Sequence, residues 1–394
     1  MNSTKETLTV HFKNLIGQEK ISKVLSKALL SDRLAHAYLF LGAEGVGKEA
    51  AAIDFARALI CDLSPGQANE MGEIIPCEQC SSCSKSRFLQ HPNLKILFPM
   101  PKPKDRSEGE TSEEYSEKQS KRIEEALDAK VENYYSPLNV DGGKEILVEH
   151  IRTLRKEFSM TAFSGNRRVV IISQTDRLRK EAANAFLKLL EEPPVGTVFI
   201  LISSHESRLL STIYSRCQAI RFPPLPGEVI KNELQEKIGV DEQQAKTATR
   251  LSYGSWYRAL EWASGNPVEE IEKAVEVFRL LAKGDPGIID AEVDKLTGRD
   301  KAGNLPRLLG LMIEWLRDVQ RYDSSSDENK EQSEEEALVR FANFCSGRDF
   351  AMALEEIDQA RLDLTGNVQP AVVIHTLLVS LRKILFAPAV NKPQ

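Results

Sequence analysis

Two clusters of residues in this chain have the types and spacing to hold an ion or a charged ligand. The first lies in LFLGAEGVGKEA, Leu39 to Ala50, where Gly42, Gly45, Gly47 and Lys48 set out a G-x-x-x-x-G-K loop between an apolar run and a helical one. Backbone N–H groups of such a loop surround phosphate oxygens, and its lysine reaches the outer phosphates. A hydroxyl for Mg²⁺ should follow the lysine, but residue 49 is glutamate. A carboxylate facing a triphosphate repels it unless a metal bridges the two, so the motif argues against nucleotide turnover. A plainer role for Glu49 is a helix N-terminal acid favoured by the macrodipole, which is compatible with an empty loop.

The second cluster is Cys61, Cys77, Cys80 and Cys83, with Cys217 and Cys345 standing apart. Two Cys-x-x-Cys turns let successive thiolates face one ion, and four soft ligands close tetrahedrally on Zn²⁺ in structural sites. The gap back to Cys61 requires the end of the helix after the phosphate loop to supply the fourth ligand. The N-terminus MNSTKETLTV has no export signal, and in such a chain clustered cysteines speak for metal before disulfide.

An active nucleotide site needs a second half, an apolar strand ending in an acid that helps hold Mg²⁺. Val169 to Ile172 is that strand, but Ser173 and Gln174 follow it. Serine is a weak neutral metal contact, and glutamine can orient a water without acting as a base. Ser203 and Ser204 end the Val198 to Ile202 strand, where a polar sensor would stand or a turn would be capped. Asp176 is the nearest acid able to take over metal duty. No Ser-His-Asp or Cys-His arrangement is discernible, and Cys217 reads as a packing residue.

The positioning elements follow from periodicity. Ile21, Val24, Leu25, Ala28 and Leu29 form the stripe of an amphipathic helix. Short apolar runs at 38–41, 94–98, 168–172, 198–202 and 219–222, mostly separated by helical stretches, predict a parallel α/β sheet with the phosphate loop at a strand's carboxyl end. Residues 99–141 read as an exposed charged insertion with one helix over Glu117 to Glu132 and no chemistry assigned. Beyond the prolines of FPPLPGE everything is helical: Leu308, Met312, Leu316 and Val319 share a stripe, and an acidic linker spans Asp323 to Glu336. A net charge of −6 argues against a chain that coats nucleic acid by itself. No apolar run has the length of a membrane span, so a cytoplasmic location with no membrane partner is expected.

HAYLFLGAEGVGKEAA, the four-cysteine insert, HPN at 91–93, ILVEHIRTLRKEF, EAANAFLKLLEEPP at 181–194 and the SRC of Ser215 to Cys217 together resemble the bacterial DNA polymerase III clamp-loader subunits of the AAA+ class. The resemblance implies an AAA+ core over 1–224 that carries a zinc module at 61–83 and the 99–141 insertion, a helical lid over 225–268 and an all-helical collar over 269–394. Within the family, the missing metal residues favour the delta prime type over the catalytic gamma and tau types. A sensor arginine of catalytic relatives would fall at Tyr257; Arg258 is displaced by one residue, about 100° around a helix.

From the same resemblance, Arg216 in SRC is expected to be an arginine finger for a neighbour's ATP. Asn184 and Lys188, at i and i+4 opposite the inward Ala183, Phe186, Leu187 and Leu190, would face DNA in the ring's centre. The implied partners are gamma/tau and delta subunits, and, through the complex, the sliding clamp (beta) and primed DNA. The implied cofactor is structural Zn²⁺, with ATP and Mg²⁺ doubtful. The rivals are an active gamma/tau-like ATPase and a stand-alone zinc-dependent DNA-binding module, the latter disfavoured by the acidic charge.

Overall fold

The computed structural model describes residues 12–30, 34–62, 76–101, 112–140, 142–160, 167–265, 267–283, 286–298, 305–323, 336–364 and 368–386. Most of the acidic linker, the middle of the cysteine module and residues 102–111 of the insertion lie outside that set. Residues up to Glu261 and those from Trp262 onward form two compact units.

In the first unit the order is α1 (Glu19–Leu30), β1 (Ala37–Leu41), α2 (Lys48–Ile60), α3 (Ser81–Arg87), β2 (Leu94–Leu97), α4 (Ser112–Glu132), α5 (Val148–Met160), β3 (Arg168–Ile172), α6 (Lys180–Glu191), β4 (Thr197–Ser203), α7 (Ser211–Tyr214), β5 (Gln218–Arg221), α8 (Gly227–Glu233), α9 (Glu242–Ser252) and α10 (Trp256–Ala263), which runs across the boundary. The strands pair in parallel as β2-β3-β4-β1-β5. Parallel strands buried on both faces need near-continuous apolar sequence, and AYLFL, RVVII and TVFILIS supply it. Alternation then divides the core into two layers. Tyr38, Phe40, Val169, Ile171, Val198 and Ile200 pack with α1 and α2, whereas Leu39, Leu41, Val170, Ile172, Phe199 and Leu201 pack with α5 and α6.

Several sequence expectations need correction in detail. Val24 of the α1 stripe is exposed, and Ser26 is buried instead because its hydroxyl is satisfied by donating to the Ser22 carbonyl at 2.6 Å. In α6 the buried face is Ala182, Ala183, Phe186, Leu189 and Leu190, which leaves Leu187 at its half-buried margin. The charged helix begins at Ser112 rather than Glu117.

The second unit is helical throughout its described residues: α11 (Pro267–Lys283), α12 (Pro286–Thr297), α13 (Leu305–Asp323), α14 (Glu336–Phe344), α15 (Phe350–Leu364) and α16 (Pro370–Phe386). Phe278, Trp315, Phe341 and Phe386 form a chain of ring contacts, with Trp315 and Phe341 edge-on at 4.4 Å. Aromatic pairs of this kind add to their area burial, which explains how helices of moderate length hold together here. No helix among the described residues is long and apolar enough to cross a membrane.

Candidate functional site

The phosphate loop leaves the carboxyl end of β1 and runs into α2, beside the ends of β3 and β4, so Lys48, Glu49, Ser173, Gln174, Ser203 and Ser204 line one crevice. The place is where open parallel sheets bind ligands. Its free cavity is only about 40 Å³, well below the ~300 Å³ at the low end of small-molecule pockets.

Lys48 lines the crevice with its ammonium folded back onto the loop. Its Nζ donates to the Gly42 carbonyl at 2.7 Å, the Ala43 carbonyl at 2.5 Å and Ser204 Oγ at 3.1 Å, stapling the loop to itself. Burial brings its pKa down to about 8, opposed by the nearby carboxylates of Glu49, Glu44 and Asp176. Ser204 thus accepts a hydrogen bond from the loop lysine.

Glu49 is an ion-pair partner, more than the plain helix-start acid the sequence suggested. One carboxylate oxygen accepts from the ammonium of Lys130 and the other from Ser173 Oγ. Lys130 belongs to α4, is fully buried and also donates to the Ser136 carbonyl. Burial pulls its pKa down, and the Glu49 carboxylate opposes that pull. The expectation of an exposed, solvated insertion therefore fails at Lys130, Tyr135 and Leu138, which are buried. Tyr135 accepts from the Ile16 N–H at 2.7 Å, and its ring lies where a Cβ on Gly47 would approach within 3.2 Å. Gln174 donates its amide Nε2 to the Leu138 carbonyl at 2.9 Å and to Asn139 Oδ1 at 3.1 Å, which ties it to the insertion.

The remaining acid near the crevice is also engaged. Asp176 Oδ1 accepts from Ser203 Oγ at 2.7 Å, Oδ2 lies 3.1 Å from His205 Nδ1, and Ser203 Oγ also accepts from the His205 N–H at 3.0 Å. From above, the segment before α10 closes on the loop. Gly45 has a φ of +75°, and a Cβ there would strike Ser255 Oγ at 2.2 Å and Tyr257 Cβ at 2.8 Å; its carbonyl accepts from the Trp256 N–H at 2.9 Å. Only glycine permits that approach. Tyr257 adjoins the loop, and Arg258 does not line the crevice.

The four cysteines converge as their spacing predicted, with all four sulfurs within 4.8 Å of one another. Cys77 to Cys83 is 3.8 Å and Cys61 to Cys80 is 4.0 Å, against an edge of about 3.8 Å for a tetrahedron of sulfurs 2.3 Å from a zinc ion. Backbone N–H groups of Cys77, Cys80 and Cys83 donate to Cys61, Cys77 and Cys80 Sγ at 3.5, 3.4 and 3.3 Å, an arrangement that favours thiolates. The donor set fits a tetrahedral metal ion. Cys61 caps the end of α2, as the sequence required.

Sequence reasoning missed what braces this cluster. Arg57, buried near the end of α2, donates from Nη2 to both oxygens of Glu78 at 2.8 Å, and Glu78 holds the left-handed φ of 58° inside the first Cys-x-x-Cys turn. Asp62 accepts from Ser82 Oγ at 2.6 Å, and Ser82 lies 3.1 Å from His91 Nε2. His91 Nδ1 accepts from the Asn93 N–H at 3.0 Å, so Nε2 carries the proton and donates to Ser82. The HPN segment thereby joins the cysteine cluster to β2. Lys130 left no signal in the sequence, being one lysine among many in a charged helix.

Arg216 follows α7 and does not line its own chain's crevice. Its guanidinium donates to Glu191 Oε1 at 2.8 Å and to the Thr212 carbonyl at 3.1 Å, and it remains about a third exposed. Asn184 and Lys188 are both exposed on α6, away from its buried face. Cys217 packs partly against the core, and burial raises its thiol pKa to about 12, which makes it a poor nucleophile.

Comparison with known proteins agrees with this arrangement. The family described as DNA polymerase III, delta subunit, matches residues 17–226, more than half of the chain. The DNA polymerase III subunit delta' of Bacillus subtilis (strain 168) is 31% identical over 220 residues, which is 56% of this chain and 52% of that protein. The delta' subunit of Pseudomonas aeruginosa is 28% identical over 351 residues, 88% of this chain and 91% of that protein. The tau subunit of Bacillus subtilis is 27% identical over 235 residues, 60% of this chain and 33% of that protein. The chain spans about half the length of the Bacillus delta' protein and a third of its tau protein. With a phosphate loop at the head of a parallel sheet and these matches, the chain belongs to the bacterial DNA polymerase III clamp-loader family.

Proposed function

We propose that the chain is a delta prime-like clamp-loader subunit of the AAA+ class that does not turn over ATP and that presents Arg216 to the ATP site of a neighbouring subunit. The supporting observation is the crevice: Glu49 and Asp176, the two carboxylates a motor would recruit for Mg²⁺, each have both oxygens engaged within the protein. Arginine in such a seam stabilises charge on the transferring phosphoryl group. On this proposal gamma/tau and delta are the partners, the beta clamp and primed DNA are reached through the complex, Zn²⁺ at Cys61, Cys77, Cys80 and Cys83 is structural, and the location is cytoplasmic. The lid over 225–268, the collar over 269–394 and the DNA-facing Asn184 and Lys188 belong to the same proposal.

Two measurements test it. The isolated chain with Mg²⁺ and ATP should release no phosphate above background. Release abolished by Lys48→Ala would instead make the chain a gamma/tau-like motor. In the reconstituted loader on primed DNA, Arg216→Ala should lower ATPase about a hundredfold or more at the seam it serves while leaving the chain folded; an unchanged rate sinks the finger.

A further inference from the structure

We propose that Lys130 is a built-in cation for the phosphate-loop crevice: the insertion delivers its ammonium to Glu49, one of the two positions from which a nucleotide site holds its metal, and so replaces that metal. The residue after the loop lysine and the residue just past the β3 strand are those two positions. Here they are Glu49 and Ser173, which bond to each other, and Lys130 bonds to Glu49.

The placement is specific. Lys121 on the same helix has a side chain 77% exposed, whereas the Lys130 side chain is 0% exposed. After α4 the chain reverses on Asn133, whose Oδ1 accepts from the Tyr135 N–H at 2.9 Å and whose carbonyl accepts from Ser136 N and Oγ at 3.0 and 2.7 Å. That reversal returns the Ser136 carbonyl to the Lys130 ammonium. Lys48, the second ammonium in the crevice, already feels repulsion from Lys130, so a divalent ion at Glu49 would meet two like charges. A buried cation needs its partner as much as the partner needs it, and neither side chain is dispensable alone.

This inference rests on the reading that the chain does not turn over ATP, and the tests separate the two. In the full wild-type chain, acetylation followed by mass spectrometry should modify Lys130 at least about tenfold more slowly than Lys121; equal rates overturn the inference. Titration with Mn²⁺, followed by water-proton relaxation, should show no binding that Glu49→Gln removes. Mn²⁺ binding that depends on Glu49, without phosphate release, overturns the role of Lys130 alone, whereas phosphate release overturns the reading beneath it.

The pairing itself is read by thermal unfolding of Lys130→Met, Glu49→Gln and the double variant. Lys130→Met should lower Tm by roughly 5–10 °C, and the added Glu49→Gln should restore more than half of that loss. Losses that simply add overturn the pairing. Should Lys130→Met fail to fold, a folded double variant still supports it and an unfolded one refutes it.

Discussion

Helix α2 carries an ion site at each end, and the two are solved in opposite ways. At its start, the carboxylate of Glu49 is matched by a lysine drawn from the same chain, and the cavity beside it holds only about 40 Å³. At its finish, Cys61 joins three other cysteines in a set of four soft donors that fits a tetrahedral metal ion. A carboxylate at the crevice is thus matched from within the fold, whereas the thiols at the knuckle form a donor set for an ion. One end is finished by folding; the other, on the zinc proposal, would be completed from solution.

The contrast can be broken most decisively at the knuckle. Removal of metal by a chelator, or Cys80→Ser, should release the Cys77 to Cys83 turn from the end of α2 and lower the melting temperature by more than about 10 °C, since structural zinc supplies folding free energy directly. Fewer than one zinc per chain in protein purified without chelator would remove the difference between the two ends.

A smaller effect should appear at the crevice. Lys48 has its pKa lowered by burial, so the folded chain releases that proton at about pH 8 while the unfolded chain keeps it to about 10.5. The penalty of holding the charge is in full force below pH 8, and stability from this group rises between pH 8 and 10.5, by up to about 3 kcal/mol. Lys48→Met should flatten that rise in denaturant titrations across this range. A slope identical in both proteins would mean that the ammonium is better solvated than its surroundings suggest.

Smaller again is the brace between the ends. Glu78→Ala leaves Arg57 buried near Asp54 alone, at 3.9 Å, and should cost about 2 kcal/mol together with a measurable loss of zinc affinity. Unchanged affinity would show that the knuckle is set by its cysteines without help from α2.

What could be seen in the sequence follows the range of each interaction. The strands announce themselves as short apolar runs, and the knuckle as cysteines three residues apart, because both signals are local. Lys130 reaches Glu49 across 81 positions, and nothing near either residue marks the other. Glu49, Ser173 and Gln174 were visible as wrong types for a motor; what they do instead depended on an insertion whose composition looked merely solvated. Val24 and Leu187 were misplaced for a different reason: a helical stripe fixes a face but not its margins, where a satisfied Ser26 or a second alanine is as acceptable inside.

The pairing of Arg216 with Glu191 has a consequence for docking. A surface ion pair of this kind is worth under about 1 kcal/mol, so it acts as a detent: firm enough to keep the guanidinium from wandering, slack enough to let go when a more highly charged group comes alongside. In the proposed ring, the arm would arrive at the seam already aimed, and part of its disorder would have been surrendered before the neighbours met.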